Sequence, residues 1–168
     1  MTHSMQFGWL TLAMSPSPDE DGARIHRIIE QACLAETLGF SDVWLTEHYF
    51  TGESVYNDSL MFAAALAVKT ERIRIGFAVV QTPFHHPVRL AVQLALLDNL
   101  SNGRIDVGIG KGTAYNEYEF VGHGLRSHDS RAVAQGLADT GSLVWLREGF
   151  GAGIHTGLGR IEGRSVGF

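Results

Sequence analysis

The sequence predicts a parallel α/β fold built from repeated βα units. Three observations carry this: short apolar runs rich in β-branched and aromatic residues, helical periodicity between them, and glycine or proline at the joints. Residues 6–13 hold Phe7, Trp9, Leu10, Thr11 and Leu12 and stop at Ser15-Pro16-Ser17-Pro18, which reads as strand then loop. Over 19–38 the apolar side chains fall at Ile25, Ile28, Ile29, Ala32 and Ala35, the spacing of one helical face. Asp19, Glu20 and Asp21 suit the N-terminus of that helix, and Gly39 its end. Residues 42–46, apolar through Val43, Trp44 and Leu45, read as a buried strand. The unit then repeats, with an alanine-rich helix over 57–69 and a β-branched strand over 73–80. Pro83 and Pro87 bracket a loop, and Leu90, Leu94 and Leu97 mark a helix over 88–100 that ends at Asn102-Gly103. Residues 104–110 form the fourth strand, giving four βα units in the first two thirds of the chain. Residues 130–146 read as another helix, weakened by Gly136 and Gly141 at about 1 kcal/mol each relative to alanine. From 149 to 168 seven of the twenty residues are glycine and neither period survives, so that stretch is expected to be irregular.

Composition narrows the function. Thirteen Lys and Arg against 18 Asp and Glu give a net charge of −5, which argues against nucleic acid as a partner. The longest wholly apolar run, from Leu60 to Val68, is nine residues, whereas a spanning helix needs about 20. The N-terminus lacks the layout of a signal peptide, so the chain reads as soluble and cytoplasmic, with no membrane partner. The single cysteine, Cys33, excludes an internal disulfide and an all-cysteine zinc site, and its place on the first helix suits a small hydrophobe better than a nucleophile.

In parallel α/β folds the chemistry sits after the C-terminal ends of the strands. Glu47-His48-Tyr49-Phe50 follows the second strand, Gln81-Thr82-Pro83-Phe84-His85-His86 the third and Lys111-Gly112-Thr113 the fourth. A histidine beside a carboxylate can move protons near neutral pH or bond an anion. It can equally be a loop residue bonded to a backbone carbonyl. Glu47, His48, His85 and His86 could be metal ligands, but no HExxH helix or other ligand spacing supports a metal site. Gly108-Ile109-Gly110-Lys111-Gly112-Thr113 places three glycines around one lysine, a composition suited to an oxyanion or to a tight turn. It is neither a P-loop nor a dinucleotide fingerprint.

Five blocks in register resemble the N-terminal half of the bacterial-luciferase-like flavin-dependent monooxygenases, over about residues 6–135. They are Val43-Trp44-Leu45-Thr46-Glu47-His48-Tyr49-Phe50, Thr82-Pro83-Phe84-His85-His86-Pro87-Val88-Arg89, Leu96-Leu97-Asp98-Asn99-Leu100-Ser101-Asn102-Gly103-Arg104, Val107-Gly108-Ile109-Gly110-Lys111-Gly112 and Asp129-Ser130-Arg131-Ala132. The resemblance implies a TIM barrel that binds reduced FMN, or in some branches a deazaflavin. The reduced flavin comes from a separate reductase and acts with O2 on an aldehyde, ketone or other small organic substrate. It also implies that His48, beside Glu47, lies next to the flavin ring. A non-prolyl cis peptide is implied under that ring at Ala78-Val79, and Lys111 and Arg131 match positions that approach the FMN phosphate. Lys111 stands where some members have arginine, replacing a fork by a point charge. Phe84, Tyr49, Phe50 and Tyr115 offer aromatic surface for a flat ring, or ordinary core packing.

On this resemblance residues 1–148 are the luciferase-like half-barrel, about four of eight βα units, and 149–168 a tail outside the family pattern. The chain therefore reads as truncated. A half-barrel is expected to leave Phe7, Trp9, Val79 and Ile109 facing water and two strand edges open, which favours a homo-oligomer, an aggregation-prone chain or a fragment of a larger protein. The competing functions are a degenerate flavin-binding relative, a deazaflavin-dependent oxidoreductase and a metal-dependent hydrolase.

Overall fold

The computed structural model describes residues 5–49, 53–112, 138–142, 144–146, 156–161 and 164–167. Chain order is β1 (Gly8–Thr11), α1 (Asp21–Thr37), β2 (Asp42–Leu45), α2 (Ser59–Lys69), β3 (Arg74–Gln81), α3 (Pro87–Ser101) and β4 (Ile105–Gly110), as the alternating periodicity requires. The four strands make one parallel sheet in the order β1-β2-β3-β4. Among the described residues no helix is long and apolar enough to cross a membrane.

Contacts divide the chain into two compact units. The first comprises Met1–Phe77 with Leu96–Asp106, and the second Ala78–Ala95 with Val107–Phe168, so β3 and β4 each begin in one and end in the other. In the first unit the periodic residues form the core: Ile28, Ala32 and Ala35 on α1, Leu60, Ala63, Leu66 and Ala67 on α2, Val43 and Leu45 on β2, and Ile75 and Phe77 on β3. Burying side chains of this kind is worth about 1.5–3 kcal/mol each, which is what holds helices of eleven to seventeen residues on the sheet. Helix α2 starts one residue after Asp58, whose side chain accepts from the Met61 amide at 2.9 Å. Helix α1 stops where Gly39 takes φ +85. Cys33 packs at the side of α1 with its thiol toward the Lys69 carbonyl, 3.6 Å away.

The sheet register corrects one expectation. Trp9 pairs with Val43, and Val43 with Ile75, so Trp9 shares the face of two residues with no exposed surface and is itself half-buried. The other face of β1 carries Leu10, 52% exposed. Side chains alternate along a strand, so the open face belongs to the even-numbered residues of β1. Phe7, just before the strand, is exposed as expected, whereas Val79 is half-buried and Ile109 buried. On the even face the Trp44 indole lies against Gly76 and beside Gly8. A Cβ at Gly76 would stand 2.3 Å from Trp44 Cε3, so glycine is what lets the indole lie on β3.

A second device joins α1 to the start of β3. Glu36 Oε1 accepts from the successive amides of Glu71, Arg72 and Ile73 at 2.9, 2.6 and 2.8 Å. Burial works to raise the Glu36 pKa, but the three amides, Ile73 foremost, outweigh it and hold the carboxyl below its ordinary range. A carboxylate depressed on folding stabilises fully above its unfolded pKa, and that stabilisation disappears as pH falls through the folded value. Glu36→Gln is therefore expected to cost about 1–3 kcal/mol at neutral pH. Urea midpoints measured down the acid limb should show the gap between variant and wild type closing as pH drops below the carboxylate range.

The last third of the chain departs from its expected form. Val144–Leu146 is a strand, β5, and 138–142 hold a turn with Gly141 at φ +71, so the described part of 130–146 is not helical. The glycine-rich stretch supplies β6 (Thr156–Ile161) and β7 (Arg164–Gly167), which pair antiparallel with each other, and β6 pairs antiparallel with β5. Antiparallel ladders are made by main-chain groups that glycine also carries, so side-chain periodicity gives no sign of them.

Candidate functional site

In the first unit the site begins where β2 ends. Leu45 is the last residue in register, between Thr11 of β1 and Phe77 of β3, and beyond it the main chain of Thr46 has no strand partner in either register. Side chains replace the strand. Tyr56 Oη accepts from the Thr46 amide at 3.1 Å and donates to the Thr46 carbonyl at 3.0 Å. Thr46 Oγ1 lies 2.6 Å from Ser54 Oγ and 3.3 Å from the Thr11 carbonyl. The amides of Ser54 and Val55 donate to the carbonyls of Leu12 and Ala13 at 2.7 and 3.0 Å. The loop before α2 is thereby tied to the end of β1.

Glu47 and His48 follow on this footing. Glu47 is buried, 3% exposed, and accepts from the Tyr49 hydroxyl. His48 is half-buried, with Nδ1 3.7 Å from the more exposed Glu53 carboxylate. At that separation the two side chains make no hydrogen bond. The pair thus divides its roles, a buried acid with a phenolic partner and a more accessible imidazole beside a second acid.

In the second unit Ala78 and Val79 are both half-buried and are joined by a non-prolyl cis peptide, at the position the resemblance implied. Val79 Cγ2 lies 2.7 Å from where a Cβ of Gly110 would stand, so only glycine admits the valine there. Gln81 and Thr82 are buried, and Thr82 Oγ1 donates to the Gly110 carbonyl at 3.2 Å. Thr82–Phe84 makes one 3-10 turn, closed by the His85 amide on the Thr82 carbonyl at 3.1 Å. Phe84 and His85 are half-buried and His86 is exposed. Lys111 is half-buried directly after β4, and Gly112 takes φ +83, a backbone that suits glycine.

Of the residues singled out in the sequence, Glu47 and His48 thus belong to the first unit and Ala78, Val79 and Lys111 to the second; Glu47, His48 and Lys111 follow strands as the strand-end rule requires, whereas Ala78 and Val79 lie within β3. Arg131, Phe50 and Tyr115 lie outside the described residues. Among the described residues no three His, Cys, Asp or Glu side chains gather as metal ligands. Sequence reading missed Tyr56 and Ser54 and gave Thr82 no contact of its own. Their contacts reach back ten and eight residues or across to another strand, and no spacing rule announces them.

The donor set after β4 fits an anionic cofactor. A lysine is flanked by glycines whose main chain can approach a phosphate, and the apolar Val79 is held against one of them. The family model described as luciferase-like monooxygenase matches residues 5–136. The chain is 40% identical over 98 residues to limonene 1,2-monooxygenase of Rhodococcus erythropolis, covering 58% of this chain and 25% of that protein. It is 36% identical over 98 residues to the oxygenase component of the flavin-dependent trigonelline monooxygenase of Acinetobacter baylyi, covering 58% of this chain and 27% of that one. Among solved structures, the monooxygenase RslO1 of Streptomyces bottropensis matches with a TM-score of 0.71 at 32% identity, over 91% of this chain and 47% of its own. The chain spans between a quarter and about a third of the length of curated relatives that it matches. With the family pattern running through β1 to β4 and beyond, and its acid–histidine pair and glycine-flanked lysine at strand ends, this chain belongs to the luciferase-like monooxygenase family.

Proposed function

We propose that this chain carries the flavin-side machinery of a monooxygenase that uses reduced FMN and O2 to oxidise a small organic substrate. The observation behind this reading is the placement of Glu47-His48 and of Lys111 directly after parallel strands in a chain of this family. Bound reduced FMN would supply the electrons that activate O2. Lys111, with the main chain of Gly110 and Gly112, is positioned by its chemistry to hold the phosphate, and Arg131 is proposed to assist. Val79, carried on the Ala78-Val79 segment, offers apolar surface to the ring. His48 holds or moves a proton at the imidazole nitrogen turned away from Glu53, and the buried Glu47 holds the strand end through Tyr49.

The trigonelline relative is an oxygenase component, which supports a separate reductase as the source of reduced flavin here as well. Exposed Val88, Val92 and Leu96 at four-residue spacing on α3, and Met61 and Val68 on α2, support self-association of the chain. The lone cysteine suits a reducing cytoplasm.

Titration with FMN, reduced FMN and a deazaflavin, followed by flavin fluorescence, tests the reading. FMN is expected to bind, and Lys111→Ala to weaken it on the order of tenfold while leaving riboflavin, which lacks the phosphate, unchanged. Preference for the deazaflavin would replace the cofactor. Indifference to every flavin, with activity abolished by chelators, would replace the function by metal-dependent hydrolysis.

A further inference from the structure

We infer that Tyr56 is a positioning residue for His48, acting through the main chain of Thr46. The argument starts from a deficit. Where a chain leaves the sheet ladder while still buried, its amide and carbonyl lose their strand partners, and such groups are costly when unsatisfied. Thr46 is in that position and is 5% exposed. One phenolic oxygen meets both needs, accepting from the amide and donating to the carbonyl of the same residue. Because that carbonyl belongs to the peptide joining Thr46 to Glu47, the bond fixes the plane from which Glu47 and His48 depart.

The phenol is itself anchored. Its ring stacks on Phe62 of α2 with centroids 4.4 Å apart and planes 5° from parallel, and Phe62 is buried. The direction in which the β2 end leaves the sheet is therefore referenced to the core of α2 rather than to the loop between them. Burial, the largest influence, raises the Tyr56 pKa above the ordinary phenol range, so the hydroxyl remains a donor throughout the working pH range. Ser54 and Thr46 close the arrangement through their own hydroxyls.

The catalytic consequence rests on the proposed function, and the placement does not, so the two are tested separately. Tyr56→Phe keeps the ring and its stacking and removes one oxygen. In the flavin-free chain the Thr46 amide is expected to exchange about tenfold faster with solvent. The ring resonances of His48 should move, while those of His26, on α1, stay in place. An unchanged His48 ring beside a still-protected Thr46 amide would overturn the inference, whatever the chain does with flavin. With reduced FMN regenerated by a reductase, Tyr56→Phe should lower kcat about tenfold with FMN affinity unchanged, as a misplaced group does. Added to His48→Ala it should cost nothing more, because its effect passes through that histidine. If the two losses multiply instead, Tyr56 acts elsewhere and the inference is wrong. A wild-type chain that binds no flavin refutes the function and leaves the placement to be decided by the His48 spectra.

Discussion

Arg104→Met is expected to destabilise the chain by about 3 kcal/mol, the largest single loss that the described hydrogen bonds suggest. Arg104 is 8% exposed and spends all five guanidinium N–H groups on neutral oxygens. Nε donates to the Ser101 carbonyl at 2.7 Å. One terminal nitrogen reaches Thr70 Oγ1 at 2.9 Å and the Ile73 carbonyl at 2.7 Å, and the other the carbonyls of Ala67 and Thr70 at 2.8 and 3.0 Å. One side chain thus ties the C-terminal turns of α2 and α3 to the entry of β3, and its charge sits where two helix dipoles end negative. Burial lowers its pKa, with Glu36 opposing, yet a guanidinium stays charged at any pH at which the protein folds. Methionine keeps the stem and abandons four carbonyls and a hydroxyl. Lysine offers a point charge with three donors and cannot span the set, so Arg104→Lys should recover less than half of the loss. At a urea dependence of about 2 kcal/mol per molar, the methionine variant should unfold about 1.5 M earlier. A shift below about 0.5 M would mean that water satisfies these carbonyls and that the arginine is dispensable.

How much of this was legible beforehand follows from what each feature is made of. Elements made by apolar periodicity were readable to within a residue or two: Leu90, Leu94 and Leu97 are the buried face of α3, and Val43 and Leu45 the buried face of β2. Glycines with positive φ, at 39 and 103, marked helix ends because little else tolerates that backbone. The strand-end rule located His48 and Lys111, and the family resemblance gave the position of the Ala78-Val79 peptide. What stayed hidden depends on partners distant in sequence. Arg104 sat inside a recognised block without a role, since its five acceptors come from three separate segments. The Glu36 carboxylate meets amides 35 to 37 residues away. Trp9 was assigned to the wrong face because composition does not fix strand parity, and β6 and β7 were missed because glycine pairs through its main chain alone.

On the proposed function, His48→Ala is expected to lower product formation by about 10²–10⁴-fold under saturating reduced FMN, O2 and substrate, the range that a positioned proton-transfer group supplies. The geometry gives reasons for so large an effect at one side chain. His48 sits one residue beyond a buried carboxylate and two beyond Thr46, whose main chain Tyr56 holds and whose hydroxyl meets that of Ser54, with Nδ1 turned to Glu53. An imidazole carried on so braced a backbone starts near its working orientation, and alanine discards both the proton and that orientation. If the group acts on the reacting atoms, kcat and kcat/KM should fall together while FMN affinity changes little. If it only helps to seat the flavin, FMN affinity should weaken and kcat at saturation should persist. His26→Ala, an exposed imidazole on α1, serves as the control and should leave turnover within about twofold, as surface substitutions do. A loss under about threefold at His48, with the control intact, would move the proton chemistry to another residue and leave the histidine as a packing element at the end of β2.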